Sequence, residues 1–323
     1  MSYAALALCL SVLAFAAVGA VASAASALLA GVLAPRLERL PPRRRARAYL
    51  RLRLAPSVAG LAFVAALFLP AFILLEPPDS GETVGPRMIL LALAASLIVA
   101  RCVREASLSW GATRRLVAAW LRKAERLSLP GYVACRAYAV PSPFPVVAVV
   151  GLWRPFLFVS RRVIDACSDA ELDAILAHEA EHLRRRDNLK RLIMRAAPDM
   201  LAFTPAARGL ERAWQQAAEE SADEAAGPQR SLDLAAALVK LARLANGTVA
   251  APLPVAALCQ GGDIARRVDR LTGPAASRSG GDGNVRGPWA AMLASATALA
   301  AAVALGALPR VHALTELVVA YLQ

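Results

Sequence analysis

Ser168-Asp169-Ala170-Glu171-Leu172-Asp173-Ala174-Ile175-Leu176-Ala177-His178-Glu179-Ala180-Glu181-His182-Leu183 is the stretch that decides how the chain folds. It opens as S-x-x-E, the form of a capping box, in which Ser and Glu side chains take each other's free helix amides. Leu172, Ile175, Leu176, Glu179 and His182 or Leu183 follow at helical spacing, so a helix starts here. Residues four apart share one helix face, which lets His178 and His182 ligate a single zinc ion. Glu179, next to the first imidazole, reaches a water on that metal and suits the role of general base. The chain has three histidines, and two of them fall in this HExxH.

Upstream, Tyr132 to Val140, Val146 to Leu152 and Phe156 to Ile164 are rich in Val, Phe and Tyr and are separated by Pro or Gly. They read as three β-strands. Downstream, a third metal ligand is needed. Arg185 and Asn188 stand where a metzincin needs Gly and His, so that class is excluded. A glutamate on a second helix is the alternative, with Glu211, Glu219, Glu220 and Glu224 as candidates. Glu219 and Asp223 lie four apart on one face, so Glu219 could ligate while Asp223 orients an imidazole. The spacing alone leaves a solvated acidic face open as well. Ser231 to Asn246 reads as an amphipathic helix with Leu234, Leu238 and Leu241 inward and Gly247 as C-cap.

The rest of the chain is unlike a soluble enzyme. Hydrophobic residues make up 58% of its 323 residues but aromatics only 6%, so Ala, Leu and Val carry the excess. Four apolar stretches are long enough to cross a bilayer: Ala4 to Leu33, Ala55 to Leu75, Met88 to Val103 and Trp289 to Leu308. The N-terminus has no basic region before its first apolar run, so that run is expected to stay as an anchor. The net charge is +13, and Arg36, Arg39, Arg43, Arg44, Arg45, Arg47, Arg51 and Arg53 crowd the first loop. By the positive-inside rule that loop is cytoplasmic, and no nucleic-acid motif accompanies it. Glu76, Asp79 and Glu82 make the next loop acidic, which suits the outer side. The five cysteines form no CxxC pair, which argues against both a disulfide framework and a thiolate zinc site.

The expected organisation follows. Residues 1–103 form a membrane region with three spans and a basic loop. Residues 104–272 form a cytoplasmic domain, 273–288 a Gly/Ser-rich linker, 289–308 a fourth span and 309–323 a short outer tail. The apolar tail Val311 to Leu322 either lies on the membrane or docks onto other helices.

These motifs together resemble the BlaR/MecR-type membrane metallopeptidases. The resemblance is carried by Gly151-Leu152-Trp153-Arg154-Pro155 and the strand after it, by A-H-E-x-x-H-x-R-R-x-D-N-L at Ala177 to Leu189, by E-x-x-A-D at Glu219 to Asp223, and by three spans before the peptidase and one after it. It implies a helical membrane protein with about four spans and a cytoplasmic α+β zincin-like domain of the gluzincin type. It implies zinc on His178, His182 and Glu219, with Glu179 as catalytic base and Asp223 orienting a ligand. Asp187 also matches a family position and is expected to pair with neighbouring arginines. Sensor-transducers of the family carry a penicillin-binding domain after the last span. Residues 309–323 are too few to form one, so the peptidase module alone is expected.

The leading expectation is a zinc endopeptidase of the plasma membrane that cuts a cytoplasmic protein, such as a transcriptional repressor. A substrate strand would add along Val146 to Leu152 or Phe156 to Ile164. The linker offers a site for self-cleavage. A quality-control protease of the HtpX or CAAX type and a catalytically silent membrane relay are the alternatives. No nucleic-acid contact is expected, and the sequence leaves the oligomeric state open.

Overall fold

The computed structural model describes residues 3–77, 84–128, 135–200, 204–245, 261–273 and 306–321. Three long helices open the chain: α1 (Tyr3–Glu38), a helix in two parts, α2 (Pro42–Phe63) and α3 (Leu69–Leu75), and α4 (Pro86–Leu121). All three are long and apolar enough to cross a membrane. A π turn at Val64–Phe68 joins α2 to α3, so the chain runs helical from Pro42 to Leu75. At 1.5 Å per residue, the 36 residues of α1 and of α4 each measure about 54 Å. That exceeds a hydrocarbon core of about 30 Å, so both helices project well beyond it. The helix that holds the third apolar stretch does not end with it at Val103: α4 continues another eighteen residues as a stalk.

Close packing holds the first two helices together. A Cβ on Gly60 would stand 2.8 Å from Phe15 Cδ2 and 2.9 Å from Phe15 O, so only glycine allows this approach. Gly60→Ala should lower stability by about 1–3 kcal/mol, read by thermal unfolding in detergent.

The stalk ends on a four-stranded mixed sheet. Its strands are β1 (Glu125–Leu127), β2 (Arg136–Val140), β3 (Val147–Val150) and β4 (Phe156–Ser160), in the order β1-β2-β4-β3. β2 and β4 run parallel, and the outer pairs are antiparallel. Alternation sends Val147, Val149, Leu157 and Val159 to one face. The other face carries Ala148, Val150 and Phe158, covered by Val117, Trp120 and Leu121 of α4. Trp120 meets Phe158 edge-on at 4.9 Å.

Two strand expectations are corrected here. β4 is interior, paired on both sides, so Phe156 to Ile164 offers no free edge. Its last residues are also not strand, because a short helix α5 (Arg161–Ala166) begins directly after Ser160. β1 had no sequence signal, since three residues of which two are charged do not alternate.

α6 (Asp169–Arg185), α9 (Ser231–Ala245) and α10 (Gly261–Thr272) pack on the Val149 face, while α7 (Asp187–Ala196) and α8 (Pro205–Ala225) bury Met194, Leu210 and Trp214 against α1 and α2. Ile175 of α6, Leu234, Leu238 and Leu241 of α9 and Leu271 of α10 share one core with the sheet. The capping box at the start of α6 is present in full, with Ser168 N–H donating to Glu171 Oε2 at 2.7 Å. The C-cap expected at Gly247 lies outside the described residues, as do the linker and nearly all of the fourth span.

The membrane helices also grip the domain. Ser23 donates to Asp199 at 2.6 Å, and the buried Arg53 donates to Met194 O at 2.9 Å. Arg45 pairs with Glu220 of α8. Arg45 and Arg53, expected in a loop, stand in α2, and they have specific partners in addition to any role in topology. At the far end of the bundle a helix covers residues 306–321. Its Val319 packs with Leu6, Leu10, Phe68, Phe72 and Met88, so this part of the tail docks onto the helices.

Candidate metal centre

α6 points His178 and Glu179 into the domain, at 0% and 4% exposure, and leaves His182 at the rim. Arg186 ends the helix in the left-handed conformation, at φ 54°. That sharp turn starts α7 at once and swings Asp187 back over the last turn of α6, where its Oδ2 lies 2.8 Å from His182 Nδ1. Lys190 Nζ donates to the other Asp187 oxygen at 2.8 Å. Asp187 therefore pairs with His182 and Lys190, not with the neighbouring arginines as the sequence suggested. The physical reason is the turn at Arg186, which aims the carboxylate at the imidazole.

α8 crosses beside α6 and brings its acidic run to the same place. Asp223 Oδ1 lies 3.0 Å from His178 Nδ1, off the line of a straight N–H bond. Each imidazole thus has a carboxylate at Nδ1, which favours the proton there and turns the Nε2 lone pairs toward each other. The two Nε2 atoms are 3.2 Å apart. Glu219 closes the triangle, with Oε2 3.4 Å from His178 Nε2 and Oε1 3.5 Å from His182 Nε2. A tetrahedral zinc with bonds of about 2.0–2.1 Å has edges of about 3.3–3.4 Å. The separation of the two Nε2 atoms matches such an edge, and one ligand atom from each of the three residues lies within 4.8 Å of the others, so the residues fit the metal. His178, His182 and Glu219 form a group able to hold an ion. Among the other candidates, Glu220 and Glu224 instead face Arg270.

The electrostatics are those of a crowded, dry cluster. Burial alone would lower the His182 pKa, but the Glu219 charge and the Asp187 hydrogen bond override it and raise it to about 10. Burial pushes Glu219 up, yet the two histidines and Arg267 hold it well below the usual carboxylate range. Asp223 is likewise lowered against its burial, by His178 and Arg267. For Glu179, burial dominates and raises the pKa.

Arg267 is a residue the sequence gave no reason to single out. It comes from α10, grips Asp223 through two hydrogen bonds of 2.9 and 2.6 Å, and puts Nη1 3.3 Å from Glu219. It stands 44 positions from Asp223, and no local spacing marks it.

β3 is the edge strand nearest the centre. Its Val149 N–H donates to Glu179 Oε2 at 3.1 Å, and Asn188 Nδ2 donates to Val149 O at 2.8 Å. The outward groups of Val149 are thus held by side chains of α6 and α7. Beyond it, Gly151 turns the chain at φ 113°, where a Cβ would come within 3.0 Å of Arg154 O. A cavity of about 250 Å³ opens there, lined by Gly151, Leu152, Trp153, His182, Asn188 and Leu189 among others.

Residues 139–269 match the family model of the BlaR1 peptidase, M56. Over this segment the chain resembles the BlaR1-type M56 peptidases. The match begins in β2 and ends in α10, so the M56 segment includes the sheet edge, both acidic and imidazole clusters and Arg267. No curated protein and no solved structure gives a significant match. A segment similar to M56 peptidases behind three helices long and apolar enough to cross a membrane supports a membrane-associated protein of peptidase type.

Proposed function

We propose that the protein is a zinc endopeptidase of the plasma membrane, with about four spans and a gluzincin-type domain facing the cytoplasm. The observation that carries this is the triangle of His178 Nε2, His182 Nε2 and Glu219 beside the buried Glu179 carboxylate. The arginine-rich first loop supports the inward-facing orientation. Bound at the triangle, zinc would supply Lewis acidity toward a water and a peptide carbonyl.

The chain's own residues do the remaining work. Asp223 and Asp187 fix the ring orientation and tautomer of the two histidines. Glu179 accepts the proton of the attacking water at its carboxylate and returns it to the leaving amine nitrogen. Its raised pKa suits both halves of that exchange. β3 is the outer sheet edge along which an extended substrate would lie, with Glu179 and Asn188 released from Val149 as it docks. The substrate is a cytoplasmic protein of regulatory type, such as a repressor.

Detergent-purified protein should cut an unfolded test protein or a co-expressed winged-helix repressor. Stripping metal with a chelator should abolish cleavage, and one equivalent of zinc should restore it. Equal cutting by the stripped protein would sink the reading. Preference for unfolded membrane proteins over the repressor would move it to a quality-control role.

A further inference from the structure

Amide hydrolysis at this centre, on which the following rests, puts negative charge on the carbonyl oxygen. The water oxygen bonds to the carbonyl carbon and the C=O π pair moves to oxygen. The C–N bond then breaks as the amine takes the proton held by Glu179. A donor aimed at that oxygen, beside the metal, is the recurring answer in acyl transfer. Among the described residues no third histidine or tyrosine shares the cluster, but several cations do.

Most of these are committed elsewhere. Arg267 is 3% exposed and spends Nε and Nη2 on Asp223 and Nη1 on Glu219. Lys190 is held by Asp187, Arg185 by Ser221 and Arg195 by Ser109. Arg191 is different. It stands on α7, one turn past Asp187, with Nη2 3.6 Å from Glu219 Oε1, the oxygen that faces His182. Its Nε is buried with no hydrogen-bond partner among the described residues. The guanidinium carbon lies over the ring of Trp214, 5.8 Å from its centre, a cation–π contact that uses none of its N–H donors. Arg191 also lines a small cavity of about 40 Å³ with Gly151, Leu152 and Asn188. Those three residues line the larger cavity beside His182 as well, so Arg191 borders the place where a substrate on β3 would reach the metal.

We propose that Arg191 is a catalytic residue: it donates to the carbonyl oxygen of the scissile peptide as charge builds there. A guanidinium suits the task because it stays charged at any working pH and offers five donors.

The test uses full-length, zinc-loaded protein with Arg191→Met and Arg191→Lys beside wild type. The expected result is a fall in kcat of about 10²–10³-fold for Arg191→Met, with KM little changed. Arg191→Lys should fall less, and added methylguanidinium should restore part of the Arg191→Met rate. Zinc affinity, measured by competition with a chromophoric chelator, should stay within about threefold of wild type. Two results would overturn the proposal: wild-type rates in Arg191→Met, or a loss of activity that follows a loss of zinc. The second would make Arg191 a support for Glu219 only. If wild type itself cuts nothing while holding zinc, the peptidase reading fails first and this proposal goes with it.

Discussion

Glu179→Gln should keep its zinc and lose cleavage by about 10²–10⁴-fold, the range that general acid–base groups contribute. Glutamine has the shape of glutamate, and its amide oxygen can still accept from Val149 N–H, which now lies 3.1 Å from Oε2. The sheet edge should therefore stay in place. The change removes only a carboxylate able to take and return a proton. It also removes a buried charge, so the metal-free variant should unfold no earlier than wild type. The measurement pairs zinc content with turnover of the same test protein. Full activity in the variant would show that another group takes the proton. A variant that loses zinc as well would show that Glu179 helps hold the metal.

Much of that prediction is legible in the sequence alone. The helix of Ser168 to Leu183, its capping box and the pairing of two histidines depend on spacing within a few residues, which a sequence displays directly. The inward stripe of Leu234, Leu238 and Leu241 was visible for the same reason, and all three are at most 1% exposed. What stayed hidden depends on chain reversal or distance. Asp187 looked like a partner for Arg184, Arg185 and Arg186, because a left-handed Arg186 is not predictable from an arginine run. Arg267 meets Asp223 only because α10 folds back across α8. The stalk of α4 was also missed in part. Hydropathy ends near Val103, whereas the helix is carried on by packing of Val117, Trp120 and Leu121 against the sheet. Glu219 stands out from three other glutamates by its four-residue spacing to Asp223, and the family resemblance strengthens that reading. The arrangement of α8 separates it physically, since Glu220 and Glu224 turn to arginines and Glu219 to the imidazoles.

The largest effect on metal should come from His178. Its ring is fully buried and supplies one corner of the triangle, so His178→Ala should leave the protein without stoichiometric zinc and without activity. Asp223→Asn and Asp187→Asn should keep the fold but weaken zinc binding by about 10–100-fold each, because each carboxylate sets the proton and orientation of one imidazole. The proton makes these two variants distinguishable. In metal-free protein His182 keeps its proton up to about pH 10, held mainly by Glu219 and Asp187 against burial. Zinc must displace that proton, so wild-type affinity should rise with pH, by about tenfold per unit while one proton is released. Asp187→Asn removes one of the groups that hold the proton. The His182 pKa should then fall, proton competition should end at a lower pH, and the rise in affinity should level off sooner. Asp223→Asn leaves the Asp187–His182 contact intact and should keep the wild-type slope near neutrality at a lower absolute affinity. Zinc titrations from about pH 6 to 9 read both slopes. A pH-independent affinity in wild type would mean that His182 is already neutral in the metal-free protein, and that the charge of Glu219 is balanced by Arg267 and Arg191 instead.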